Sequence, residues 1–158
     1  MMNKGKILWL AIASFMTLAC THKEPYFEMR GVVLTVEDLE TVDWAKLAHE
    51  NGINTIGTHV TPVQVAAFMQ SEKGKKFLAD CEKYDIRVEH QLHAMGQLLP
   101  KELYSEDSTM FRMNKSGRRV NDCNLCVHSQ KALDIVAKNA LHYSCLLHST
   151  NHRYYYWI

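Results

Sequence analysis

The chain has 158 residues, a formal net charge of +1 and 47% hydrophobic residues. Charge so close to balance, with no basic stripe and no acidic run, argues against a nucleic-acid partner and against an acidic disordered tail. Length and composition fit one globular domain behind a leader, with no internal repeat and no low-complexity segment.

The leader "MMNKGKILWLAIASFMTLAC" has a basic start at Lys4 and Lys6, an apolar run from Ile7 to Leu18, and Ala19 before Cys20. The run is short for a membrane span and reads as a secretory signal. A small residue directly before Cys20 resembles a bacterial lipobox, in which that cysteine becomes the lipidated first residue of the mature protein. Residues 1–20 are therefore read as a lipoprotein signal peptide, 21–27 as a tether and 28–158 as the folded unit. The expected location is the cell envelope, with the membrane as a partner through the lipid on Cys20. The alternative is an ordinary signal peptide with an incidental cysteine.

"RGVVLTV" (Arg30 to Val36) is a β-branched run of strand length. Asp43 caps a helix over "WAKLAHEN", with Gly52 just past its end. "INTIGTHV" (Ile53 to Val60) is a second strand. Thr61-Pro62 then opens a helical region, expected to break near Gly74 and to continue through "KKFLADCEKYD". "IRVEHQL" (Ile86 to Leu92) is a third strand. Ser129 caps a helix over "SQKALDIVAKNALHYSCLL", with Leu133, Val136, Ala137, Ala140 and Leu141 expected inward. "HRYYYWI" (His152 to Ile158) is a fourth strand.

Beyond Cys20, four cysteines remain, Cys81, Cys123, Cys126 and Cys145. Export permits disulfides, and four cysteines allow three pairings. Cys81 and Cys145 fall in helical patterns, where packing as small hydrophobes is the commoner fate. "CNLC" (Cys123 to Cys126) has metal-ligand spacing but no second pair downstream, so no metal is expected there.

The order β-α-β-α-β-α-β implies a parallel sheet built from right-handed crossovers. It fits an open doubly wound sheet or part of a (β/α)8 barrel. No glycine-rich phosphate loop follows the first strand, which weakens the nucleotide-binding version and leaves no expected cofactor. The connection from Pro100 to Cys126 is long, with a small hairpin read at Asn114 to Gly117. Large insertions after a strand's carboxyl end are where barrels build their sites. A full barrel takes ~250 residues, so this chain is read as its N-terminal half.

"EMRGVVLTVED" resembles the first barrel strand of the family 20 glycoside hydrolases (hexosaminidases), where an Arg-Gly pair opens the strand. "VEHQLHAMGQLLPKEL" resembles their third strand, with a Glu, a His-Ala pair and a later Pro-x-Leu in that order. The stretch from Glu28 to Ile158 also looks like a group of Bacteroidetes-type lipoproteins with a hydrolase-like barrel, the domain of unknown function 4838 family. The resemblance implies that Arg30 hydrogen-bonds sugar hydroxyls, that His93 stands near the reaction centre and that His152 opens the fourth strand. In the hexosaminidases that strand ends in an Asp-Glu pair, the Glu acting as general acid and the Asp orienting the substrate's acetamido group, an exception to the two-carboxylate scheme. The chain therefore reads as cut just before its catalytic carboxylates.

Strand alternation puts Arg87, Glu89, Gln91 and His93 on one face of the third strand and Ile86, Val88, His90 and Leu92 on the other. The apolar set is expected to meet helices and the polar set to line the barrel interior. His90 and His93 thus point apart and form no metal pair. His59 ends the second strand as His93 ends the third. Glu37 and Asp38 are candidate acids or caps of the next turn. The candidate substrate-binding set is Arg30, His59, His93, Glu89 and His152, with no catalytic residue assigned. The expected function is a lipid-anchored, glycoside-hydrolase-like protein acting on glycans and inactive alone, with self-association through open barrel edges. A non-catalytic glycan binder and a non-functional truncated product are the alternatives.

Overall fold

The structure is a computed structural model, which describes residues 25–122 and 124–157. The leader, including Cys20, lies outside the described residues, as does Cys123.

Four strands form one sheet in the order β1-β2-β3-β4: β1 Gly31–Leu34, β2 Thr55–Val60, β3 Arg87–His93 and β4 Tyr154–Trp157. Every neighbouring pair is parallel. The fold is therefore mixed α/β with an all-parallel sheet. Spatial order follows chain order without a reversal, whereas a doubly wound sheet reverses at a switch point between its halves.

Between β1 and β2 lie α1 (Val36–Thr41) and α2 (Trp44–Glu50); between β2 and β3 lie α3 (Pro62–Gln70) and α4 (Glu72–Lys83). The last crossover holds α5 (Met95–Leu98), α6 (Leu103–Glu106), a 3₁₀ turn at Ser108–Met110 and the long α7 (Gln130–Leu147).

The starts of the longer helices are written in the sequence. Thr35 caps α1 in a box with Asp38, and hydrogen bonds from Thr35 hold the Asp38 carboxyl below the usual carboxylate range. That box consumes Asp38, so the cap reading of this acid is the one the structure shows. Asp43 caps α2, Thr61 caps α3 with Pro62 in its first position, and Ser129 caps α7. The break between α3 and α4 falls at Ser71, not Gly74. Ser71 ends one helix and caps the next, its Oγ accepting from the Gly74 N–H at 3.1 Å.

All the helical cover packs on one face of the sheet. Leu34, Ile56, Val88 and Leu92 cluster there with Ala45, Ala48, Val65, Phe68, Phe77, Cys81, Leu98, Phe111 and Leu147. Each large side chain so buried stabilises the fold by ~1.5–3 kcal/mol relative to exposure. Burial pushes the Cys81 thiol up to about 12, so it packs as an inert hydrophobe.

The inward stripe of α7 differs from expectation. Ala132 and Leu147 are buried, with Ile135, Val136, Ala140 and Tyr143 partly so, while Leu133 and Leu141 are 38% and 67% exposed. Ala137 and Cys145 are exposed with them. Apolar residues run on both sides of this helix, so periodicity alone leaves its rotation undetermined. Among the described residues no helix is long and apolar enough to cross a membrane.

The opposite face of the sheet is open. Val33, Tyr155 and Trp157 stand on it with 49%, 40% and 47% of their surface exposed. The described hairpin in the last crossover is small, an antiparallel bridge between Met113 and Arg119 around a turn at Asn114 and Gly117.

Candidate functional site

Parallel register places Gly57 beside Glu89, Gln91 between His59 and Tyr155, and His93 beside Trp157. Partners across a parallel ladder share a face, so these side chains line the open face from its middle to its carboxyl end.

At that end three rings gather. His59 and His93 meet edge to face with centroids 4.7 Å apart, and Trp157 stands 5.8 Å from His59 and 6.0 Å from His93, also edge to face. Such arrangements suit aromatic quadrupoles. His59 Nδ1 lies 3.1 Å from the carbonyl oxygen of Gln91 and must donate to it, which leaves Nε2 as the acceptor in the neutral ring. The cluster therefore offers an exposed indole face beside imidazole donors and acceptors.

Below the rings sits a polar ladder. Glu89 is buried, accepting from Gln91 Nε2 at 3.2 Å and from Asn151 Nδ2 at 3.0 Å. A buried carboxylate needs such donors. Gly57 makes room for the Gln91 amide, since a Cβ there would lie 3.0 Å from Gln91 Nε2. Asn151 belongs to the loop before β4, which docks on the Val88 backbone through one side-chain and one backbone hydrogen bond. Thr150 Oγ1 accepts from the Val88 N–H at 2.7 Å, and the Thr150 N–H donates to the Val88 carbonyl at 3.0 Å.

Arg30 and His152, grouped with these residues in the sequence, lie elsewhere. Arg30 precedes β1 at the amino end of the sheet, where Nε donates to the Gly52 carbonyl at 2.5 Å and Nη1 to the Phe27 carbonyl at 2.7 Å. Its guanidinium buckles the loops at that end. His152, in a left-handed turn two residues before β4, is exposed at the same amino end. The carboxyl ends of the strands hold His59 and His93, with Glu89 deeper on the same face.

Trp157, Gln91 and Asn151 complete the constellation. Trp157 is legible only through register: the "YYYW" run alternates, and setting it beside β3 puts Trp157 level with His93. No family model, curated protein or solved structure matches this chain. What the site can do is therefore argued from its own residues.

Proposed function

We infer that the chain forms the β1–β4 part of a (β/α)8 barrel of glycoside-hydrolase-like kind, exported and held at the membrane through Cys20, whose mouth binds glycan. The uniform parallel order with helices on one face supports the barrel, because a barrel keeps its crossover helices in an outer ring. The observation that carries the ligand is the His59–His93–Trp157 cluster at the carboxyl ends of the strands. An exposed indole offers a flat apolar surface to the C–H face of a pyranose ring, and the imidazoles beside it bond hydroxyls. Arg30 acts on this reading through the amino-end loops, not on the sugar.

Binding without turnover is the favoured form. Among the described strand residues Glu89 is the carboxylate on the open face, and it is buried with its oxygens already engaged by Gln91 and Asn151. Glycosidic cleavage by acid and nucleophile needs two carboxyl groups flanking the bond.

Quenching of Trp157 fluorescence by a panel of soluble oligosaccharides, in a background with Trp9→Phe and Trp44→Phe, tests the proposal. A saturable signal is expected, weakened roughly tenfold by His59→Ala or His93→Ala, the scale of one or two lost hydrogen bonds. Affinity unchanged in both variants, or turnover of a chromogenic glycoside by the purified chain, would overturn it.

A further inference from the structure

His59 and His93 carry a chemistry that hydrogen bonding to a sugar does not exhaust. Both stand on the open face near the carboxyl ends of parallel strands, the end at which α/β folds gather their ligands.

The His59 ring is fixed by its backbone neighbour. Nδ1 donates to the Gln91 carbonyl at 3.1 Å, so Nε2 keeps a free lone pair. A ring N–H held by a backbone carbonyl is the device that orients metal-ligating histidines and raises their basicity. His93 is exposed at the end of its strand, so its ring can turn a nitrogen to the point that His59 Nε2 addresses.

The separation of the rings suits a shared ion. Two imidazoles on one cation, with metal–nitrogen bonds of about 2.0–2.1 Å at about 90–110°, hold their centroids about 4.5–5.3 Å apart. The His59 and His93 centroids are 4.7 Å apart. Trp157, 5.8 and 6.0 Å from the two rings, walls one side and supplies an apolar shell.

The ligand set also selects the ion. Glu89 is already held by Gln91 and Asn151, and among the described residues no third His, Cys, Asp or Glu makes a three-ligand group with the pair. Water or solute oxygens therefore complete the coordination, which is the open type of site. Imidazoles without a carboxylate suit zinc, nickel and copper, whereas magnesium and calcium demand oxygen ligands.

We propose that His59 and His93 form a two-histidine site for a divalent cation of the zinc, nickel and copper class, open toward the mouth. The site stands on the ring geometry and goes beyond the glycan reading without depending on it.

Trp157 is a built-in reporter, because bound Ni2+ quenches an indole at this range. The full chain in mild detergent, with Trp9→Phe and Trp44→Phe, is titrated with Ni2+ in the absence of sugar. Saturable quenching is expected, reversed by excess Zn2+ and not by Mg2+. His59→Ala and His93→Ala should each weaken it at least roughly tenfold, since even changes behind a ligand cost that much. His142→Ala, on the exposed side of α7, should leave it unaltered. His59→Gln and His93→Gln replace the alanine variants if a melt shows those unfolded. Quenching that does not saturate, equal reversal by Mg2+, or unweakened quenching in the folded variants of both histidines would overturn the proposal. Because no sugar is present, that failure leaves glycan binding standing, and failure of the oligosaccharide titration leaves the cation site standing.

Discussion

His90 Nδ1 lies 2.7 Å from Thr58 Oγ1, linking β3 to β2 inside the core. The other ring nitrogen, Nε2, donates to the Leu147 carbonyl at the end of α7, which fixes Nδ1 as the acceptor from the Thr58 hydroxyl. Tyr154 stacks on the same ring at 5.7 Å. One neutral imidazole therefore joins two strands, the last helix and β4.

Burial lowers the pKa of His90 from 6.5 to about 4, with the Leu147 hydrogen bond acting in the other direction. Above about pH 6.5 the ring is neutral in both folded and unfolded chains. Between there and about pH 4 the unfolded chain holds the extra proton, so stability falls as the pH falls. The loss should approach about 3 kcal/mol by pH 4. Urea denaturation at pH 7 and pH 4.5 measures it. His90→Gln should be less stable at pH 7 and lose this component of the slope; an unaltered slope would reject the assignment.

Gly74 and Gly96 should respond in opposite directions to alanine. A Cβ at Gly74 would stand 2.0 Å from the Phe68 carbonyl oxygen and 2.7 Å from Met69 Cα, both backbone of α3. Neither can swing aside as a side chain end can, so Gly74→Ala should destabilise by more than ~3 kcal/mol. Nothing lies within 4 Å of a Cβ at Gly96. There, inside α5, the substitution should stabilise by about 0.5 kcal/mol through the restricted unfolded chain. Thermal melts of the two variants check both signs.

The strands, the main crossover helices and their caps are legible because each is set by a local signal. Thr61-Pro62, Asp43 and Ser129 act within one turn, and the β-branched runs have strand length. Helix α1 escapes a reading by periodicity, because six residues carry little of it and only the Thr35–Asp38 box marks the helix. At the site, His59 and His93 can be placed from strand ends alone. Trp157 and Asn151 cannot, since one depends on the β3–β4 register and the other on how the preceding loop folds back onto Val88. Motif groups Arg30 and His152 with the mouth, but chain direction places both at the amino end of parallel strands.

Cys20→Ala should move the protein from the membrane to the soluble exported fraction. A short basic-apolar stretch ending in Ala-Cys motivates this; on the proposed lipoprotein reading Cys20 would carry more than one acyl chain, because one alone gives only marginal anchoring. Fractionation of cells carrying each form is the measurement. Unchanged membrane association in the variant would leave Cys20 without a role as anchor.

The Glu89–Asn151 contact can be exchanged. Glu89→Gln replaces an oxygen pair that accepts two N–H groups with an amide, forcing one NH2 toward a donor in a buried position. A mismatch of that kind costs ~1–3 kcal/mol. Asn151→Asp alone sets two carboxylates against each other and should also destabilise. In the double variant the new amide on β3 can donate to the new carboxylate in the loop, so the contact is re-formed with donor and acceptor exchanged. The expected coupling is favourable, about 1 kcal/mol or more, and is read from a double-mutant cycle of urea midpoints. Additive losses would mean that the loop before β4 is held by Thr150 and Ser149 on Val88, with Asn151 only passing near Glu89.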